Sequence, residues 1–333
     1  MLVQDLGGRA LAEEPVTSLR VLRRDGGVEW RGRRVPGIRV VPAGAAALRF
    51  QQRAYPGIVE VLGAAEGLTV VNELPFETYV VGAVKAEAGD RMPIEMLKAQ
   101  AIVARTYAAY HRRINAAKAY HIVAGTANQQ YAGQVSADSP AWTAVRDTEG
   151  QVLLWAGGLF PAFYHTDSGG HTEDPRVVFA AANMPALQPV RVEFPSQSPH
   201  HAWILDVALG DLAISLKRGG VAVGSITGLL VLERSASLRV SRISVLGTRG
   251  SASLLGNEFR RLVGYDTLKS TLFAVSVDGS YARFAGRGYG HGVGLDQWSA
   301  KTMADRGYSA RQIVQYYYPG ATLSSLTAIS SLK

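Results

Sequence analysis

Residues 75–110, PFETYVVGAVKAEAGDRMPIEMLKAQAIVARTYAAY, read as two helices joined by a short corner, and the rest of the chain is organised around them. Pro75 stands at the opening turn of the first helix, where its missing N–H costs nothing. Phe76, Val80, Ala83 and Val84 recur at helical spacing, and continuing that stripe lands on Glu87. Gly89 supplies the stop. Glu87 is therefore expected to be a carboxylate on an apolar face, in the last turn of its helix. Apolar surroundings and a helix C-terminus both disfavour a negative charge, which is how a carboxyl becomes a general acid near neutral pH.

The second helix begins around Pro93. Lys98 and Arg105, seven residues apart, fall on one face with Ala101 and Ile102 between them. Leu97, Ala101, Ala104 and Ala108 make a small-residue face suited to close helix packing. Two readings stay open from spacing alone. Two cations in line beside Glu87 make a site, or two solvated basic residues are paired with a carboxylate.

A chain of 333 residues with 47% apolar and 19% charged residues buries a full core and holds one large domain or two ordinary ones. No run of about 18 apolar residues is present, so no membrane span is expected. The opening MLVQDLGGRALAEEP lacks the basic-then-apolar pattern of a secretory leader, which by itself suggests a cytoplasmic chain or one trimmed of its leader. Cysteine is absent, which excludes disulfides, thiolate catalysis and Cys-based zinc sites. The net charge of +8 suits a polyanionic partner. The arginines are scattered, however, and the densest group (Arg31, Arg33, Arg34) sits in an expected hairpin. No nucleic-acid signature accompanies them, so no nucleic-acid partner is expected.

Upstream of the helical pair, Asp25-Gly26, Pro36-Gly37 and Pro56-Gly57 punctuate short strands, and residues 58–74 read as a hairpin. Downstream, Ser139-Pro140 opens a further helix. In QVLLWAGGLFPAFYHTDSGG (151–170) two apolar runs turn at Gly157-Gly158, and the second ends in Tyr164, His165, Asp167 and Ser168. Polar residues leaving a buried strand into a glycine turn are placed to line a cleft. A serine nucleophile is disfavoured there, because near neighbours cannot form a triad and the G-x-S-x-G elbow is missing. Residues 176–200 are proline-rich and read as loop. Residues 202–284 read as strand, helix, strands, helix and a hairpin turning at Asp278-Gly279, a second α+β lobe. Then comes GRGYGHGVG (286–294), followed by Leu295, Asp296, Gln297 and Trp298. No frame gives G-x-G-x-x-G, and no Lys-Ser/Thr follows, so nucleotide binding is disfavoured. Alternating glycines instead let backbone approach a ligand or another segment. His291 reads equally as a donor to substrate or as a structural hydrogen-bonding group. Ser309 caps a last helix, ARQIVQYYY, stopped by Pro319-Gly320.

Three segments together resemble the SpoIID (stage II sporulation protein D) family of bacterial cell-wall proteins: ETYVVGAVKAEAGDRMPIEMLKAQAIVARTYA, AFYHTDSGGHTE, and GRGYGHGVGLDQWSAKTM with YSARQIVQYYYPG. They occur in the family's order, and the resemblance covers roughly residues 55–322. It implies an α+β fold in which the helical pair and strands form a cleft. The expected division is an N-terminal β-rich region at 1–54, a SpoIID-like domain at 55–322 with the inserted α+β lobe at about 202–284, and a tail at 323–333. It implies lytic transglycosylation of peptidoglycan glycan strands, preferentially strands stripped of stem peptides, outside the cytoplasm. The family's catalytic glutamate matches Glu87. Lys98, Arg105, Tyr107, Tyr164, His165, Ser168, Gly169, Tyr289, His291 and Gln297 fall in the family's motifs and are expected to hold or orient glycan. Where the family often has Ser-Gln after the glycine-histidine loop, this chain has Asp296-Gln297. Some relatives hold zinc with Cys and His in the loop matching Tyr120–Gly133. Only His121 remains of that pattern here, so no metal or other cofactor is expected. The resemblance also implies an alternative, a non-catalytic wall-binding enhancer of a cell-wall amidase.

Overall fold

The computed structural model describes residues 1–179 and 184–329. Part of the expected proline-rich loop (180–183) and the end of the expected tail (330–333) lie outside the described residues. The fold is α+β, as expected. The chain forms two compact units, one of residues 1–90 and 111–149, the other of residues 91–110 and 150 onward.

The first unit starts from a four-stranded antiparallel sheet in the order Leu2–Asp5, Gly37–Val41, Ile58–Ala64, Gly67–Glu73. Alternation puts every second residue on one face, so Val3, Ile38, Val40, Val59 and Val61 are all buried there, with Ile38 opposite Val61 in the ladder. The sheet crosses residue 54, because the hairpin 58–73 pairs with a strand from the first forty residues. A second sheet, built on the Asp25-Gly26 turn, adds Val28 and Trp30 to the same core. The two sheets touch backbone to backbone: a Cβ on Gly63 would lie 2.6 Å from the Gly27 Cα.

Helix α1 (Phe76–Ala88) follows directly, with Pro75 as its N-cap and Gly89 ending it at φ 70°, a conformation glycine adopts without strain. Val80, Val81, Ala83 and Val84 are buried, whereas Phe76 is half-buried. After α2 (Ile94–Ile114), the first unit closes with α3 (Pro140–Asp147), capped by Ser139, whose hydroxyl also donates to Asp90 at 2.7 Å.

In the second unit, residues 96–109 of α2 are buried on nearly every face except at Lys98. Small residues (Ala99, Ala101, Ala104, Ala108) let neighbouring backbone come close. The Thr106 hydroxyl donates to Ile102 O at 2.7 Å and accepts from Leu153 N at 2.9 Å, fastening α2 to the strand Gln151–Leu154. The expected loop from residue 176 opens instead with a short helix, α4 (Pro175–Phe179), because Pro175 supplies a helix-compatible first turn.

The lobe expected at 202–284 has its own core. Strands Ala202–Ala208, Tyr281–Arg287 and Phe273–Asp278 form one antiparallel sheet in that order, and Ile226–Arg234, Val240–Gly247 and Gly250–Leu255 form another. Helices α5 (Leu209–Arg218) and α6 (Gly256–Val263) contribute Leu212, Leu216 and Phe259 to a cluster with Ile243, Val245 and Phe284. The unit ends in α7 (Gln297–Asp305) and α8 (Ala310–Tyr317), the latter opened by a capping box of Ser309 and Gln312.

The glycine-histidine loop and the 164–170 segment meet inside this second unit. Tyr164–His165 pairs in parallel with Leu295–Asp296, and Asp167 exchanges backbone hydrogen bonds with Tyr289 at 3.0 and 2.9 Å. Gly294 makes this pairing sterically feasible: its φ is 74°, and a Cβ there would lie 1.9 Å from the Phe163 carbonyl oxygen. We expect Gly294→Ala to cost roughly 3 kcal/mol through combined strain and overlap, read as a lowered urea midpoint followed by tryptophan fluorescence.

Candidate functional site

In the first unit, Glu87 occupies the last turn of α1 and is half-buried. Its Oε1 accepts a hydrogen bond from the Gln130 backbone N–H at 2.7 Å. The loop that carries this amide is fixed from several sides. Tyr131 stacks on Tyr79 with ring centroids 5.3 Å apart, and its hydroxyl donates to Asn72 at 3.1 Å. The Tyr79 hydroxyl donates to Gln129 Oε1 at 2.7 Å, and Ala132 N donates to Gly82 O at 3.2 Å. The Tyr131 ring lies on Gly82, where a Cβ would come within 2.3 Å of it. Burial pushes the Tyr131 phenol well above its ordinary range, so it stays a neutral donor. Around the corner from Glu87, Asp90 pairs with Lys85 and accepts from Ser139, and these partners hold its carboxyl below the usual range. In the sequence the loop 120–133 stands out only for the metal ligands it lacks. Its part in orienting Glu87 depends on Tyr131, and the only available signal was a large aromatic facing a helix glycine.

The expected cations are placed differently from one another. Lys98 pairs with Glu95 at 3.0 Å, and Glu95 in turn accepts from Ala310 N at 2.7 Å at the start of α8. Arg105 is 0% exposed; its guanidinium donates to Gln151 O at 3.1 Å and to Ala101 O at 3.4 Å. Tyr107 is buried edge-on against Phe163, with ring centroids 5.8 Å apart. Arg105 and Tyr107, expected to orient glycan, are thus enclosed within the protein. Helical spacing shows which face a residue is on, not how deep that face lies.

In the second unit the 164–171 and 286–298 segments surround a buried polar cluster. Asp296 caps α7, accepting from Ser299 N and Oγ at 3.0 Å each, and also accepts from Ser168 N at 2.9 Å. Burial, reinforced by the nearby Asp167, raises its pKa. The departure at position 296 thus supplies a side-chain contact between the two motif segments, beside their backbone pairing. Asp296→Ala would leave three buried donors short of an acceptor. We expect a loss of about 2–4 kcal/mol in denaturant unfolding, with Asp296→Ser losing less because a hydroxyl still caps the helix.

Ser168 is fully buried. Its hydroxyl accepts from Gly170 N at 3.2 Å, and its carbonyl accepts from Arg239 at 2.5 Å, so it forms a turn and presents no nucleophile. Arg239, which nothing in the sequence marks out and which precedes the strand Val240–Gly247, is 1% exposed. It also donates to His171 O at 2.8 Å, and Gly292 leaves the space its guanidinium fills, since a Cβ there would lie 2.6 Å from Arg239 Cζ. Burial lowers its pKa, while Glu173, Asp296 and Asp167 oppose that shift.

His165 and His291 lie with ring centroids 5.6 Å apart. His165 Nδ1 is 3.1 Å from Val293 O, a carbonyl, so Nδ1 carries the proton and Nε2 is an acceptor. His291 Nδ1 accepts from Val293 N at 3.0 Å, which puts its proton on Nε2. Burial, with Arg239 and Arg260 nearby, drives His291 down to about 3 and His165 well below the ordinary imidazole value. Both rings are neutral at physiological pH. Gln297 is buried and donates to Gln100 at 3.2 Å, whereas Tyr289, half-buried, donates to Asp266 at 2.8 Å. Tyr164 and Gly169 are also half-buried. Among the described residues, no three His, Asp or Glu side chains converge as metal ligands, and no helix is long and apolar enough to cross a membrane.

A family model described as stage II sporulation protein (SpoIID) matches residues 64–155, and one described as a domain of unknown function (DUF8618) matches residues 197–294. Stage II sporulation protein D of Bacillus subtilis is 28% identical, across 78% of this chain and 77% of that protein. An uncharacterized protein of Brachyspira hyodysenteriae is 27% identical, across 81% of this chain and 72% of its own length. The amidase enhancer of Bacillus subtilis is 29% identical across 73% of this chain, but the match spans 40% of that longer protein. With the motif segments in family order and Glu87 at the end of α1 inside the matched region, residues 64–155 match the SpoIID domain and most of the chain is similar to stage II sporulation protein D.

Proposed function

We propose that this protein is a lytic transglycosylase acting on peptidoglycan glycan strands outside the cytoplasm, with Glu87 as general acid and then base. The observation that carries the reading is the fixed carboxylate of Glu87, held in place by the Gln130 amide at the end of an apolar helix. Glycoside hydrolysis ordinarily needs two carboxyl groups, one to protonate the leaving oxygen and one to activate water or attack. Transglycosylation needs one. The carboxyl proton passes to the glycosidic oxygen as its bond to the muramic anomeric carbon breaks. The primary hydroxyl of that same sugar then attacks the anomeric carbon and returns its proton to the carboxylate. No water is consumed, and the product ends in an anhydro-muramic sugar.

On this reading Lys98, Tyr164, Gly169, Tyr289 and His291 contact or orient glycan. Arg105, Tyr107, His165, Ser168 and Gln297 act through the backbone they hold. The neutral His291 would serve as a hydrogen-bonding group, not as a proton carrier. Incubation with peptide-stripped glycan strands, followed by mass spectrometry of the products, tests the proposal. Anhydro-muramic ends are expected, and intact strands would overturn it. The name of one relative, amidase enhancer, supports a second reading in which the chain binds wall glycan and raises the turnover of an amidase without cutting. Stimulated amidase turnover without anhydro ends would establish that reading instead.

A further inference from the structure

The lobe at 202–284 carries ten Lys or Arg against six Asp or Glu, so half of the chain's net charge of +8 lies in a quarter of its length. No step of the cleavage reading uses that charge. Between Leu212 and Asn257 there are six basic residues and a single acid, Glu233, which pairs with Arg242 at 3.5 Å. Arg234 and Arg239 are occupied with backbone carbonyls. The other three, Lys217, Arg218 and Arg249, are exposed, as is Arg261 on α6. Among the described residues none of these four has an ion-pair partner.

Helix ends and turns bring the four together. Lys217 and Arg218 end α5, and Arg261 lies in the last turn of α6. The two ends touch, because a Cβ on Gly219, the C-cap of α5, would lie 2.1 Å from the Leu262 side chain. The chain then turns, with Val221 N donating to Leu216 O at 3.0 Å, and Val223 O accepts from Arg249 N at 2.9 Å. The segment 217–223 is thus in contact both with the end of α6 and with the turn, between the strands Val240–Gly247 and Gly250–Leu255, that carries Arg249. Cations at helix C-termini complement the helix dipole, which accounts for Lys217, Arg218 and Arg261 one by one. It does not account for Arg249, which lies in a β-turn. The acids of the two helices, Asp211 and Glu258, stand in their first turns, and among the described residues neither pairs with the four. The residues between the cations are small (Gly219, Gly220, Ala222, Gly250) and none is aromatic. A surface that seats in lipid sets aromatic and large apolar side chains beside its cations. Small residues instead let an extended anionic chain lie close along them.

We propose that this corner of the second unit binds a linear wall polyanion joined by phosphodiesters, its phosphate oxygens received by Lys217, Arg218, Arg249 and Arg261 in charge-assisted hydrogen bonds. The inference rests on the cell-wall assignment and not on the cleavage step. Fluorescence anisotropy of labelled poly(glycerol phosphate) titrated with the full chain tests it. Binding is expected, weakening as salt rises from about 50 to about 200 mM. Replacing all four residues with Gln is expected to weaken it by about tenfold or more, and Arg249→Gln alone, outside any helix, by about threefold. The yield of anhydro-muramic ends from purified glycan strands should stay at the wild-type level in both variants. Replacing four exposed arginines of the first unit instead (Arg20, Arg31, Arg49 and Arg53) should leave binding within about twofold. Unchanged binding by the four-site variant would overturn the proposal, as would an equal loss in the first-unit variant. So would tighter binding to phosphatidylglycerol vesicles or to duplex DNA than to the polymer. Polymer binding without anhydro ends would keep this site and remove the cleavage reading. Anhydro ends without polymer binding would do the reverse.

Discussion

Replacing Glu87 with Gln is expected to lower the yield of anhydro-muramic ends by about 10²–10⁴-fold or more, the range that positioned proton transfer contributes. Gln keeps the length and shape of the side chain, and its amide oxygen can still accept from Gln130 N, the bond that now holds Glu87 at 2.7 Å. What it cannot do is release a proton to a leaving oxygen or take one back from the attacking hydroxyl. Thermal unfolding should therefore be almost unchanged while product formation collapses. Glu87→Asp, one methylene shorter, would break the Gln130 contact and should leave a small residual rate. A yield undiminished in Glu87→Gln, measured by mass spectrometry against the wild type, would show that the carboxyl is not the acid. Tyr131→Ala gives the complementary result. It removes the ring stacked on Tyr79, frees the loop that carries Gln130, and should lower the rate although Glu87 itself is intact.

The parts of this architecture set by local chemistry are the parts the sequence makes legible. Pro75 and Gly89 bound α1, Ser139-Pro140 opens α3, and Asp278-Gly279 turns a hairpin, each because one residue fixes or frees its own backbone. The parts set by distant partners are not legible. Nothing near Ile38 says that it will lie opposite Val61. Arg239 stands just before the strand Val240–Gly247 and looks like any surface arginine in the sequence, yet it is buried, and Gly292, more than fifty residues on, leaves the space it fills. Asp296 reads as a substitution in a motif, yet its carboxylate spans from a helix cap to the Ser168 turn, 128 residues away in the chain. The same limit applies to Glu87. Periodicity gives its turn on α1, but the amide that orients it comes from a loop with no regular pattern.

Mild acid should destabilise the folded protein through its buried histidines. His165 and His291 are held below the ordinary imidazole value chiefly by burial, His291 to about 3, with Arg239 and Arg260 adding to the effect. His111 and His200 are lowered as well, again mainly by burial. In the unfolded chain each imidazole binds a proton near pH 6.5. Between that value and the folded pKa the unfolded state binds more protons than the native state, so stability rises with pH throughout the window. Above about pH 6.5 neither state is protonated and the contribution is complete. As the pH falls below 6.5 it is lost at roughly 1.4 kcal/mol per unit for each fully shifted histidine, or about 2 kcal/mol each by pH 5. The raised pKa of Asp296 acts in the opposite direction, because the native state gains a proton there before the unfolded state does, and this softens the fall. Urea unfolding at pH 7 and pH 5 should therefore differ by about 2 kcal/mol from His291 alone, with His165 adding in the same direction. His291→Gln, which retains an acceptor for Val293 N but cannot titrate, should remove the His291 part of that difference. Equal stability at the two pH values would show that these rings are charged in the folded protein, contrary to their burial among arginines.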